Sequence, residues 1–315
     1  MAFETLLGNE RLKVNLISSL DRGHISHFYL ISGPEGSGKH TLARLLAEAI
    51  LCEGEESPCG RCSACRKMRS GNHPDFITVE DPEHKTVAVR VVRETRDDVF
   101  IRPNEGSHKI YLFPQELGIE GQNALLKILE EPPSYGVFIL LTDNPDKLLP
   151  TVRSRCTALA LLPLDRKTML AALASEFPQA DRGNLEAAVL RSGGYLGQAR
   201  RLLQEESGDP QTQAFALAYG ARDELALAHV LVPMEKWKRD QLIEQLESWV
   251  NLLENALASR SGLPALSELE RDLSARRSSP ELMAAIRSIR KAVDYARGNV
   301  SPGAICGWLR WELSL

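Results

Sequence analysis

The run Phe28-Tyr29-Leu30-Ile31 leads into Gly33-Pro34-Glu35-Gly36-Ser37-Gly38-Lys39-His40-Thr41 and then into the helical period Leu42-Ala43-Arg44-Leu45-Leu46-Ala47-Glu48-Ala49. Apolar strand, G-x4-G-K loop and helix, in that order, restrict the chain more than any other feature, because they are the parts of a phosphate-binding P-loop. The glycines let backbone N–H groups approach phosphate oxygens, the helix N-terminus adds positive potential, and Lys39 reaches the β and γ oxygens. Gly33, Gly38, Lys39 and Thr41 are therefore the candidate nucleotide-binding residues. The expected fold class is an α/β P-loop domain, a parallel sheet flanked by helices.

Two requirements of a working site are missing. The residue after the lysine should offer a hydroxyl to Mg²⁺, and here it is His40; Thr41 is displaced by one position. Imidazole is a poor ligand for a hard, oxygen-preferring cation. A Walker B strand should end in Asp and Glu, one for the metal and one for water. The candidate strand Lys109-Ile110-Tyr111-Leu112-Phe113 ends in Pro114-Gln115-Glu116, with no acid at the first two positions and Glu116 one step late. The loop is expected to keep its shape without holding a productive nucleotide: Mg-ATP hydrolysis is not expected, and whether ATP still binds is left open.

Four of the six cysteines, Cys52, Cys59, Cys62 and Cys65, are spaced C-x6-C-x2-C-x2-C. Each C-x2-C turn points two sulfurs at one centre, which suits tetrahedral Zn²⁺. Arg61, Arg66 and Lys67 would offset the dianionic charge. A disulfide pair or reactive thiols are the alternatives, the disulfide opposed by an N-terminus with no basic segment followed by an apolar one. With all four thiolates engaged the metal is structural. Cys156 and Cys306 stand alone, as small buried hydrophobes.

A formal charge of −4 and an isoelectric point near 6.0 argue against nucleic-acid binding through overall charge, though not against a local basic patch. No apolar run is long enough for a membrane span, so a cytoplasmic protein is expected.

Further segments carry a family resemblance. Asn123-Ala124-Leu125-Leu126-Lys127-Ile128-Leu129-Glu130-Glu131-Pro132-Pro133, the strand Val137 to Leu141, Arg153-Ser154-Arg155-Cys156 and the four-cysteine insert after the P-loop helix together resemble the AAA+ clamp-loader subunits of bacterial DNA polymerase III. Leu7-Gly8-Asn9-Glu10 and Gly71-Asn72-His73-Pro74-Asp75 look similar too. The chain is closer to the delta-prime branch, with its degraded nucleotide motifs, than to the gamma/tau motors. Gly197, near where motors carry the sensor 2 arginine, is a third loss.

The resemblance implies a non-hydrolysing subunit of a hetero-pentamer with gamma/tau and delta subunits, which together load a sliding clamp onto primed DNA. It implies that Arg155 acts in trans on the ATP of a neighbouring subunit, where a guanidinium can fork across two phosphate oxygens. Arg153 is the weaker candidate. An active gamma/tau-like ATPase is the competing reading, and a DNA-binding zinc module built on Arg61, Arg66, Lys67 and Arg69 is a third.

The expected domains are 1–162, an AAA+ P-loop domain with a four-cysteine zinc module at 50–70; 163–206, a small helical lid; and 207–315, an all-α collar. Strands are predicted at 28–31, 75–79, 109–113, 137–141 and 157–162. Leu242, Leu246, Trp249, Val250, Leu253 and Leu257 form one apolar stripe, and Leu282, Ile286, Ile289, Val293 and Ala296 another. Such stripes serve either an internal core or contacts with other subunits' collars.

Overall fold

The computed structural model describes residues 3, 5–55, 57–84, 86–204 and 209–314. The chain divides into two compact units, Met1–Met169 with Gly194–Gln198, and Leu170–Gly193 with Ala199–Leu315.

The first unit carries β1 (Phe28–Ser32), β2 (Phe76–Thr78), β3 (Thr86–Val87), β4 (Lys109–Phe113), β5 (Glu116–Leu117), β6 (Gly136–Thr142) and β7 (Thr157–Ala160). Its helices are α1 (Glu10–Asp21), α2 (Lys39–Leu51), α3 (Ser63–Arg69), α4 (Val89–Asp98), α5 (Ile119–Glu130) and α6 (Pro150–Arg153). Five strands form one parallel sheet in the order β2-β4-β6-β1-β7. The predicted strands all appear, with bounds shifted by a residue or two. The short parallel pair of β3 and β5 has no counterpart in the sequence reading.

Every residue of β1, β4 and β6 is buried, as expected for parallel strands covered on both faces. Alternate residues serve opposite faces. Tyr29 and Ile31 pack with Leu42, Leu46 and Ile50 of α2. Phe28 and Leu30 pack with Phe138, Leu125 and Ile128. On that second face Phe28 stacks on Phe138 at 4.6 Å, and Tyr111 on Phe138 at 5.1 Å.

Two side chains tie the sheet's ends. Asp75, fully buried, accepts hydrogen bonds from Asn104 N (2.6 Å), Asn104 Nδ2 (3.2 Å), Glu105 N (2.9 Å) and Gly106 N (2.7 Å). It thereby anchors the loop leading into β4. At the other margin, Asn9 Oδ1 accepts from Leu162 N (2.8 Å) while Asn9 Nδ2 donates to Leu162 O (3.3 Å), just past the edge strand β7.

The remaining helices are α7 (Arg166–Glu176), α8 (Arg182–Arg191), α9 (Leu196–Gln204), α10 (Pro210–Ala221), α11 (Glu224–Met234), α12 (Arg239–Arg260), α13 (Glu268–Arg276), α14 (Ser279–Arg297) and α15 (Pro302–Ser314). Helices α7, α8 and α9 lie within the expected lid segment, whose described residues are shared between the two units; its predicted end at 206 lies outside the described residues.

In the second unit Trp249 is fully buried and stacks on Phe215 at 4.1 Å. The stripes of α12 and α14 both enter this core, Leu257 being only partly buried against it. Asp209 starts α10 by accepting from Gln211 N and Thr212 N, and Ser278 and Glu281 form a reciprocal cap on α14. Among the described residues, no helix is long and apolar enough to cross a membrane.

Candidate functional site

Three C-terminal strand ends converge on the predicted site: the loop 33–38 after β1, residues 114–116 after β4, and Asp143 after β6. Ligands of open parallel sheets bind at this edge. Gly36 (φ 76°) and Gly38 (φ 96°) take the left-handed backbone that side chains disfavour, so the loop has the curvature its glycines predict.

The lysine is turned inward. Lys39 Nζ donates to Gly33 O (2.6 Å), Pro34 O (3.0 Å) and Asp143 Oδ1 (2.5 Å). His40 and Thr41 are exposed, on the turn that follows. Asp143 is not among the residues the sequence motifs single out; its signal is an acid directly after the apolar strand that pairs with β1.

The residues in the Walker B positions have other partners. Gln115 Oε1 accepts from Asp81 N (2.7 Å), and its Nε2 donates to Asp81 O (3.0 Å) and His84 O (3.1 Å). Glu116 lies in β5 and pairs with Lys147 Nζ at 2.7 Å. The side chain of Gln115 is thus a brace between two loops, and the carboxylate of Glu116 neutralises a lysine.

Gly197 lies beside the P-loop. Its N–H donates to Gly36 O at 2.9 Å, and a Cβ at position 197 would sit 2.6 Å from Gly36 Cα. No side chain fits there without moving the backbone.

Arg155 follows α6 and is exposed. Its Nη1 donates to Thr151 O (2.9 Å), and its Nη2 meets Glu130 Oε1 at 3.2 Å. Arg153 is paired with Asp146 at 2.5 Å. Exposed ion pairs of this kind contribute little, about 0–1 kcal/mol.

The four clustered cysteines do come together, their sulfurs all lying within 4.8 Å of one another. Zn–S bonds of about 2.3 Å in a tetrahedron would place the sulfurs about 3.8 Å apart; Cys59 and Cys65 are at 4.0 Å. Backbone N–H groups point at the sulfurs: Gly54 N and Cys59 N at Cys52, Cys62 N at Cys59, and Cys65 N at Cys62, at 3.3–3.4 Å. The N–H groups of Arg61 and Cys62 hold the Cys59 thiol down at about 6, while burial pushes the Cys65 thiol up. This donor set fits a zinc ion bound by Cys52, Cys59, Cys62 and Cys65. It leaves no position for a catalytic water. Of the nearby basic residues, Lys67 is paired with Glu105 and Arg69 lies 3.4 Å from Glu48, so half of the proposed basic cluster is already countered by acids.

A family profile described as "DNA polymerase III, delta subunit" matches residues 8–165, half of the chain. The chain is 33% identical over 218 residues to the tau subunit of DNA polymerase III from Bacillus subtilis, covering 66% of this chain and 38% of that protein. It is 35% identical over 245 residues to the tau subunit from Escherichia coli, covering 73% of this chain and 38% of that one. It thus spans about two fifths of the length of these relatives. Among solved structures, a DNA polymerase III gamma subunit-related protein from Thermotoga maritima aligns over 95% of this chain and 99% of its own, with a TM-score of 0.51 at 16% identity, a likeness of fold. By the match that spans its P-loop, its cysteine cluster and Arg155, the chain belongs to the DNA polymerase III delta-subunit family.

Proposed function

We propose that this chain is a non-hydrolysing, delta-prime-type subunit of a cytoplasmic clamp loader. It would assemble with gamma/tau and delta subunits in a hetero-pentamer and support loading of a sliding clamp onto primed DNA. Family membership supports the setting. One observation carries the finer reading: each group that should handle Mg²⁺ and water is absent or engaged elsewhere. His40 stands in the hydroxyl position, Gln115 is bonded to the 81–84 loop, and Glu116 is paired with Lys147. A phosphoryl transfer that depends on metal and an oriented water would lack the side chains that usually hold them.

In this reading Arg155 is the chain's contribution to chemistry, reaching the ATP of an adjacent motor subunit. Its acidic partner, Glu130, is itself exposed and exchangeable for a phosphate that takes a guanidinium more strongly. Residues 207–315 would form the collar that holds the subunits together. The zinc module would act as a staple after α2.

The competing reading, an active gamma/tau-like ATPase, is favoured by the curated relatives, which are named tau. Steady-state ATP turnover by the purified chain with Mg²⁺, with and without primed DNA, decides between them. Turnover at the rate of an ordinary motor subunit would establish the motor reading; none is expected.

A further inference from the structure

An ammonium group has three N–H bonds to donate. All three of Lys39 are spent, on Gly33 O, Pro34 O and Asp143 Oδ1. The first two acceptors belong to the loop that would have to wrap a phosphate. The third is a carboxylate, which resembles a phosphate oxygen in charge and in the short hydrogen bonds it accepts. Lys39 is only 9% exposed, whereas the Asp143 side chain is 58% exposed, so the acid sits between the lysine and solvent.

The loop is also held at its crown. Gly36 O accepts from Gly197 N at 2.9 Å, and a Cβ on Gly36 would lie 2.5 Å from Gln198 N. The 194–198 segment is therefore in backbone contact with the loop at its left-handed glycine.

We propose that Asp143 is a built-in anion that holds the P-loop closed, so that this chain excludes nucleoside di- and triphosphates rather than binding them without turnover. The inference rests on the non-hydrolysing reading and goes beyond it. Lost metal ligands still permit nucleotide binding; a carboxylate already seated on Lys39 opposes it. An incoming phosphate competes with a partner tethered to the end of β6, whose effective concentration exceeds that of a free ligand. It also gains no new N–H from the lysine until that partner leaves.

The test is equilibrium binding of fluorescent methylanthraniloyl-ADP and -ATP to the full-length chain, read by anisotropy. The proteins are wild type, Asp143→Asn, Asp143→Ala and the double variant Asp143→Ala/Lys39→Ala. Wild type should show no saturation up to about 1 mM nucleotide, the weak end of the measurable range. Asp143→Ala frees a donor for phosphate and should bind roughly 10- to 100-fold more tightly, the scale of one charge-assisted hydrogen bond. Asp143→Asn, nearly the same size and on an exposed position, should fall between. The double variant should return to the wild-type level.

Micromolar binding by the wild type would overturn the latch, and so would no gain in either single variant with an unchanged thermal melt. Wild-type binding without turnover would sink the latch alone and leave the non-hydrolysing reading standing. Turnover by the wild type would sink both.

Discussion

Replacing Asp75 by asparagine tests how the first unit is held together. The carboxylate is fully buried and collects four N–H donors from residues 104–106. Asparagine keeps the shape but removes the charge and turns one oxygen into a donor. Whichever way the amide faces, one pair of donors loses its acceptor, at about 1–3 kcal/mol for each unsatisfied group. The other pair keeps only neutral hydrogen bonds, about half as strong as charged ones. Allowing for relaxation of the exposed loop, the cost is about 3–5 kcal/mol, a large share of the ~5–15 kcal/mol that a domain possesses.

The assay must read one unit at a time. All four tryptophans, Trp237, Trp249, Trp308 and Trp311, lie in the second unit, so tryptophan fluorescence reports that unit alone. Hydrogen exchange at the Ile110 amide, which donates to Asp75 O at 2.8 Å, reports the first. Exchange at Ile110 should quicken by about two to four decades, at ~1.4 kcal/mol per decade, while the tryptophan transition stays put. A change below tenfold would refute the anchoring argument.

The difference should also depend on pH. Burial pushes the Asp75 carboxyl up, but the N–H donors outweigh it and hold the group below its ordinary range. Its stabilisation is therefore present above the unfolded carboxylate value of about 3.9 and lost as pH falls through the lower folded value. The gap between wild type and Asp75→Asn should close in that acid window.

Three further outcomes are expected. Arg155→Ala should leave the melting curve of the chain unchanged but lower the ATPase rate of the reconstituted assembly at least tenfold, trans arginines elsewhere being worth ~10³–10⁵; an unchanged rate removes the finger assignment. Metal analysis of the purified chain should find about one zinc per molecule, and Cys65→Ser, at the most buried ligand, should speed amide exchange throughout α3; protein without zinc that keeps the same protection would contradict the staple. Gly197→Ala forces a methyl to within 2.6 Å of Gly36 Cα and should destabilise the first unit by about 1–3 kcal/mol, read by the same Ile110 exchange; a neutral result would mean the two backbones part easily.

The P-loop, the cysteine cluster and the main strands were legible because each is local. Short apolar runs mark β1 and β4, and spacing within fourteen residues marks the metal ligands. What decides the site is not local. The Lys39–Asp143 pair joins residues 104 apart, and the brace from Gln115 to Asp81 crosses 34. No periodicity announces either. The strands β3 and β5 escaped because two residues are too few to make a pattern. Nor does the sequence announce the close approach of Gly197 to Gly36, where neither residue has room for a side chain.

Asn9 has a consequence for solubility. A sheet margin such as β7, with N–H and C=O groups facing outward, is a template on which a second polypeptide can grow the sheet, the first step toward aggregation. Asn9 offers Leu162 one acceptor and one donor, the pair a neighbouring peptide would supply. A single carboxamide thus stands in for the strand that would otherwise arrive, and closes the end of the row to recruitment.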